Sequence, residues 1–430
     1  MLLVSTILLL LFIASSLYVG AAIGVLGATL SNLYSSLPLV RGVGEMAWGT
    51  SNDFTLVAVP MFILMGEMLL RSGLAENMFD ALDKWVGHIP GGLMHTNIAA
   101  STLFAATSGS SVATAATIGT VSLPNMHKHG YRPALFLGSI AAGGTLGILI
   151  PPSINMVLYG ALSETSVSDL YLAGFIPGLL LALLFSTLIF VVCIVNRELA
   201  PRKPRAPWGE RLRALWSLGP PLYLFMLVVG SIYLGWATPT EASALGVVGT
   251  FLYVVTTGKF SWDRLWAALE GTVRTTAMVM LIVISAYFLN FVMSTIGLTD
   301  IAVKAVGTLT WGPTYVMLAI VAVYLLLGCF VETLTLMVAT TPIIVPIVVA
   351  LGYDPVWFGV VFVILIELAL ITPPIGMNLF VVQSVRTSGG FRDVALGSLP
   401  FAAVMLGVIF LLLAFPELAT WLPKTYNALK

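Results

Sequence analysis

The chain has 430 residues, of which 59% are hydrophobic and only 9% charged, and 19 basic residues balance 19 acidic ones. A mean hydropathy of +1.02 excludes a soluble globular domain, and the charge balance argues against a basic face for nucleic acid. At roughly 20 residues per spanning helix, about ten or more membrane elements fit into this length.

The chain opens on "LLVSTILLLLFIASSLYV", an apolar stretch with no basic residue before Arg41. A cleaved signal peptide needs a basic start, so a retained membrane segment is expected here. In "LAENMFDALDKWVGHI", Leu74, Met78, Leu82, Trp85 and Ile89 share one helical face, and Glu76, Asp80, Asp83 and Lys84 lie on the others. Such a helix either lies along the membrane surface or packs against protein as a connector. "GGLMHTNIAASTLFAATSGSSVATAATIGTVSLPN" then carries two apolar arms around Ser108-Gly109-Ser110-Ser111. Glycine and serine favour a turn, which predicts a re-entrant helical hairpin with its tip at membrane depth. Next, "GTLGILIPPSINMVLYG" holds Pro151 and Pro152 inside a segment otherwise apolar enough for a span. Each proline removes a backbone donor and clashes with the preceding turn, so a broken helix is predicted. The basic stretch "NRELAPRKPRAPWGERLR" (196–213) follows and divides the chain into two comparable halves. The positive-inside rule assigns it to the cytoplasm. Cys193 and Cys329, in separate apolar runs, read as packing residues.

The second half repeats the landmarks of the first. A shift of 222 residues takes Pro124 to Pro346, Gly130 to Gly352, Tyr131 to Tyr353, Pro133 to Pro355 and the pair Pro151-Pro152 to Pro373-Pro374. "SGLAE" at 72–76 returns loosely as "IGLTD" at 296–300, and a second hairpin is expected with its tip at Gly328–Thr335. "HKHGYR" in the first copy is basic, whereas "ALGYDP" in the second carries Asp354 and no Lys or Arg. The copies are therefore expected to be inverted across the membrane, as in many secondary transporters.

Irregular backbone at membrane depth is tolerated where it is buried in protein or lines a cavity. Half-helix carbonyl ends coordinate Na⁺, and amide ends hold anions. The candidate cation positions are therefore the Ser108–Ser111 tip with the Gly147–Pro151 break, and the Gly328–Thr335 tip with the Thr372–Gly376 break. The alternative is a pair of kinks that merely bend helices. Neither tip nor break contains Lys or Arg, so an anion would be held by amides, hydroxyls and bound cations. Ser153, Asn155, Thr335 and Asn378 are the candidate substrate contacts, with helix–helix hydrogen bonding the alternative for the asparagines. Of the intramembrane acids, Glu332 is a candidate for the second cation site. Glu367 and Glu241 suit structural roles, Glu241 as a helix cap in "TPTEAS". Glu67 also lies in an apolar run. "HKH" has poor spacing for a metal site, and neither GxxxxGK[ST] nor HExxH occurs, which leaves ATP-driven transport and zinc proteolysis unsupported.

"SGSSVATAATIG", "PNMHKHGY", "AAGGTLGILIPPS", "GWATPTEAS" and "ELALITPPIGMNLF" together resemble the large membrane subunit of tripartite ATP-independent periplasmic (TRAP) transporters, over most of the chain. The resemblance implies an all-α polytopic fold of two inverted repeats, with an elevator-type transport domain moving against a scaffold. It implies Na⁺-coupled import of a small organic acid, such as a C4-dicarboxylate or sialic acid, with no organic cofactor. It also implies a bacterial inner-membrane location and three partners: membrane lipid, a small four-helix subunit expected as a separate polypeptide, and a periplasmic substrate-binding protein that docks from outside. One sodium site is implied for Ser108, Gly109, Ser110, Ser111, Gly147 and Pro151, and a second for Gly328, Glu332, Thr333, Thr372, Pro373 and Gly376. Two departures stand out: Leu365 where many relatives carry Asn, and Glu332 where many carry Asp.

On this reading residues 1–90 form the first scaffold and arm, 91–163 the first transport region, and 164–213 a connecting span with the basic loop. Residues 214–312 form the second scaffold and arm, 313–385 the second transport region, and 386–430 a C-terminal span. The alternative function is a binding-protein-independent transporter of the same broad class, for citrate, arsenite or Na⁺/H⁺ exchange. An intramembrane enzyme lacks any nucleophile–base or metal-ligand spacing in this sequence. A passive channel fits poorly with paired hairpins.

Overall fold

In the computed structural model, residues 4–5, 7–8, 11–12, 17–201, 203–308 and 311–428 are described. The expectation for the first apolar stretch therefore falls largely outside them. The described residues are helical, with no strand. The first half runs through α1 (Val19–Tyr34), α2 (Val43–Ser51), α3 (Ala58–Leu70), α4 (Leu74–Val86), α5 (Leu93–Ser108), α6 (Ser111–His129), α7 (Pro133–Leu149), α8 (Ile154–Ser163) and α9 (Val167–Val195). The second contains α10 (Trp208–Phe225), α11 (Pro239–Thr256), α12 (Trp262–Thr295), α13 (Leu298–Gly307), α14 (Pro313–Gly328), α15 (Thr333–Ala350), α16 (Pro355–Leu370), α17 (Met377–Val385), α18 (Phe391–Ala414) and α19 (Glu417–Ala428).

Five described helical segments are long and apolar enough to cross a membrane unaided: α9, α12, α15, α18 and α10 with its continuation to Tyr233. Two bent pairs join them as broken spans or re-entrant loops: Leu39–Ser51 with Thr55–Leu70, at 65°, and α7 with α8, at 44°. Three shorter apolar helices, α1, α14 and α16, complete the set.

The repeated motifs adopt the same local backbone in both halves. Gly130 (φ 72°) and Gly352 (φ 87°) follow α6 and α15 in the left-handed region, which a side chain would strain. Pro133 and Pro355 then open α7 and α16, where a missing N–H costs nothing. Each proline pair is joined by a cis peptide bond. Gly73 and Gly297, at the start of α4 and α13, also share a left-handed conformation. The tyrosines of the repeated GYxP turn do different work. Tyr131 Oη accepts the Leu93 amide at 3.0 Å and secures the start of α5. Tyr353 stacks on Trp357 with ring centres 5.0 Å apart.

The two halves interlock. α1 packs along α12 and α3 along α11. α7 lies against α18 so closely that a Cβ on Gly138 would strike the Gly397 carbonyl. The amphipathic helix α4 buries Leu74, Met78, Phe79 and Leu82 against α5 and α10, so it is a packed connector and not a helix whose apolar face meets lipid. The basic loop is pinned to it. The Trp85 indole donates to the Arg211 carbonyl at 3.0 Å, and the Arg211 guanidinium sits 4.5 Å over Trp85 and 4.7 Å over Trp208. Lys203 pairs with Asp83 at 3.0 Å. Partial burial, and then the neighbouring Arg205 and Arg211, hold the His88 imidazole below its ordinary pKa. Glu241 completes a capping box with Thr238 at the start of α11, the role its sequence context suggests.

Candidate functional site

At the first hairpin tip a helix C-terminus meets a helix N-terminus. α5 ends at Ser108, Gly109 (φ 59°) reverses the chain, and Ser110 opens α6 by accepting the Ala113 amide on its hydroxyl. This turn is seated on the first proline break. A Cβ on Gly147 would lie 2.7 Å from both the Ser110 carbonyl oxygen and Thr114 Oγ1, so only glycine lets the tip approach. A Cβ on Gly109 would come 3.0 Å from the Pro152 carbonyl oxygen. The Ser108 and Thr114 hydroxyls meet at 3.0 Å, and Thr114 donates to the Ser110 carbonyl at 2.7 Å. The structure therefore brings Ser108, Gly109, Ser110 and Gly147 together, beside the break that contains Pro151. They form a cluster of hydroxyl and carbonyl oxygens, the donor chemistry hard cations take. Thr114 is part of this cluster and escaped the sequence reading; its place one turn into α6 was the available signal.

At the second tip, α14 ends at Gly328 and Glu332 caps α15. The Glu332 carboxylate accepts the Thr335 amide at 2.9 Å, the Thr335 hydroxyl at 3.0 Å and the Thr333 hydroxyl at 3.1 Å. This tip touches the end of α16 through Gly328, where a Cβ would strike Ala369. The Thr372 hydroxyl turns back to the Leu368 carbonyl at 2.6 Å. Gly376 (φ 32°) lies against the Leu370 and Thr372 carbonyls, each 2.9 Å from where its Cβ would be. The cis bond joins Pro373 to Pro374 between them. Glu332 and Thr333 thus stand on the tip side, and Thr372, Pro373 and Gly376 form a separate carbonyl-rich turn.

A cavity of about 740 Å³ joins the two halves. Both tips line it, through Ser108–Ser111 and Glu332–Thr335, as do Asn155, Leu370 and Met377. Its other wall is α3 and α12, including Gly66, Glu67, Thr275 and Ile282. No described lining residue is Lys or Arg. Glu67 is paired with Arg71, four residues on and just past the end of α3; its place in the wall was not foreseen from sequence. A smaller cavity of about 200 Å³ adjoins the first and shares Glu332 and Thr335.

The four candidate substrate contacts separate. Asn155 lines the cavity, and its buried Nδ2 has no protein partner. Thr335 lines it too, with its hydroxyl held by Glu332. Ser153 is fully buried as the cap of α8, accepting the Met156 amide at 3.3 Å and, on its carbonyl, the Tyr171 hydroxyl at 3.3 Å. Asn378 is also fully buried, and its Nδ2 donates to Ser111 Oγ at 2.7 Å. Glu367 is fully buried and faces the backbone of Ile148 and Leu149 in the opposite half, with neither oxygen completing an ordinary hydrogen bond.

A family model described as "Tripartite ATP-independent periplasmic transporter, DctM component" matches residues 6–418. The chain is 35% identical over 408 residues to the C4-dicarboxylate TRAP transporter large permease protein DctM of Pseudomonas aeruginosa, covering 94% of each chain. It is 34% identical to the ectoine/5-hydroxyectoine TRAP transporter large permease protein UehC of Ruegeria pomeroyi, covering 86% of each. It is 33% identical to the sialic acid TRAP transporter large permease protein SiaM of Vibrio cholerae, covering 90% of each. Among solved structures, the YdaH transporter of Alcanivorax borkumensis superposes with a TM-score of 0.66 at 16% identity, covering 96% of this chain and 99% of that one. MtrF of Neisseria gonorrhoeae gives 0.62 at 14% identity, covering 89% and 84%. These two likenesses concern the fold alone. Matched along almost its whole length by the family and its permeases, and built of apolar helices, the chain belongs to the DctM component of the tripartite ATP-independent periplasmic transporters, a multi-pass bacterial inner-membrane transport protein and not an enzyme.

Proposed function

We propose that this chain moves a small organic acid inward together with Na⁺, after a periplasmic binding protein delivers the acid and while a small four-helix membrane subunit braces the scaffold. The observation that carries the reading is the shared cavity, with the tips of both hairpins in its wall and no basic side chain among its described lining residues. An acid entering such a space has its charge offset by amide donors, hydroxyls and cations. The Ser108–Ser111 tip with Gly147 and Pro151 supplies oxygens for one Na⁺. Gly328, Glu332 and Thr333, with the Thr372, Pro373 and Gly376 turn, supply them for the other. Asn155 and Thr335, which both line the cavity, are the substrate contacts in this reading.

The repeats are inverted in this reading, and the hairpins with their broken helices travel as an elevator against α1, α3, α11 and α12. The substrate is chosen largely by the binding protein; the named relatives carry C4-dicarboxylate, ectoine or sialic acid in their descriptions. The test is uptake into proteoliposomes containing this chain, a small four-helix subunit and a periplasmic binding protein of the same system. Uptake should require both an inward Na⁺ gradient and the binding protein. Uptake that needs Na⁺ but not the binding protein points to the alternative transporter class, and uptake indifferent to both overturns the reading.

A further inference from the structure

The asparagines that follow the two proline pairs have different surroundings. Asn155 lines the cavity, and its buried Nδ2 has no protein partner. Asn378 instead reaches into the first half, where its Nδ2 donates to Ser111 Oγ at 2.7 Å and to the Ala141 carbonyl at 3.2 Å. The orientation of its amide follows from chemistry, because the Ala141 carbonyl can only accept. Gly144 makes the space for it: a Cβ there would lie 3.0 Å from Asn378 Nδ2 and 3.2 Å from the Ser111 carbonyl oxygen. A single side chain at the start of α17 thus spans the first residue of α6 and the middle of α7. Its Oδ1 is buried with no protein partner.

We propose that Asn378 is a positioning residue that ties the first hairpin tip to the second proline break, making cation binding at the first site depend on the backbone of the second. The inference rests on the sodium reading above and assigns Asn378 to the ion machinery in place of the substrate. The amide holds Ser111, next in chain to Ser110, in register with α7. Asn378 itself sits two residues after Gly376, where the second break ends. Displacing either side therefore pulls on the other through a buried amide, a short physical connection of the kind that couples two sites.

The experiment compares wild type and Asn378→Ala in the complete three-part system. With wild type activated cooperatively by Na⁺, Asn378→Ala should raise the half-activating Na⁺ concentration about fivefold or more and lower the Hill coefficient toward one. Its substrate KM at saturating Na⁺ should stay within about twofold of wild type, which a residue touching substrate would not allow. Ser111→Ala should act in the same direction, and the double variant should be no worse than the poorer single one. If a variant does not transport, the Na⁺-dependent rise in Tm of the purified membrane complex gives the same comparison, and Asn378→Ser replaces a variant that does not assemble. A raised substrate KM with intact Na⁺ activation, or additive effects in the double variant, overturns the proposal. A wild type that Na⁺ does not activate overturns the sodium reading and this inference together, whereas normal wild-type activation with an unchanged variant overturns this inference alone.

Discussion

Around the first proline break every residue from Gly147 to Met156 is buried, whereas at the second Pro374, Ile375 and Met377 are exposed. Both breaks carry the same cis proline pair and sit beside a hairpin tip, but the room for that contact is made from opposite sides. In the first half the glycine is on the broken helix, Gly147. The residue 222 positions later is Ala369, and the glycine that accommodates it is Gly328, on the hairpin. The asparagines divide in the same manner, Asn155 toward the cavity and Asn378 toward protein. The matching motifs thus share the break itself, which is a local backbone matter, and differ in the neighbours that surround it.

Three substitutions and one rescue variant break or sharpen this comparison. The largest effect is expected for Gly147→Val, which forces a branched side chain into the Ser110 carbonyl and Thr114 hydroxyl. Overpacking of about 1–3 kcal/mol at a site that cannot relax should lower uptake by up to about a hundredfold. Retained uptake would show that the first tip does not need its seat on the break. Next comes Gly328→Ala, whose methyl meets Ala369; a loss of about tenfold is expected. Ala369→Gly in the same chain should restore uptake to within about twofold, since it moves the free space to the side used by the first half. Failure of that rescue would mean Gly328 is needed for its backbone and not for its size. The smallest effect is expected for Asn155→Ala. Loss of one neutral hydrogen bond, about 0.5–1.5 kcal/mol, should raise substrate KM about threefold and leave Na⁺ activation where it was. A shift in Na⁺ activation instead would move Asn155 to the ion machinery and erase its contrast with Asn378.

Much of the candidate site was legible because proline and glycine act on their own backbone. The pairs Pro151-Pro152 and Pro373-Pro374, and the turns at Gly130 and Gly352, do in the fold what their chemistry requires. Ser110 and Glu332 likewise cap helices from within their own turns. The Ser111–Asn378 bond was not legible, because its partners lie 267 residues apart and no periodicity links them. The same holds for Glu367, which reads in sequence as a neighbour of its own proline break but faces Ile148 and Leu149 in the other half. The amphipathic face of α4 was visible as a pattern, yet what covers it, α5 and α10, was not.

By itself the sequence determined a membrane-embedded, all-helical chain with motifs that recur 222 residues apart, the positions of its interruptions, and its family. The membrane embedding follows from the solvation of apolar side chains and the interruptions from single residues' backbone chemistry, both of which act locally, whereas the helical fold and the family are read from the resemblance of the motifs. Only the tertiary structure decided that the two tips share one cavity, which asparagine faces it, and which side of each contact supplies the glycine. Those are matters of packing between distant segments, where a methyl group or one buried amide selects among arrangements that the local sequence leaves equal.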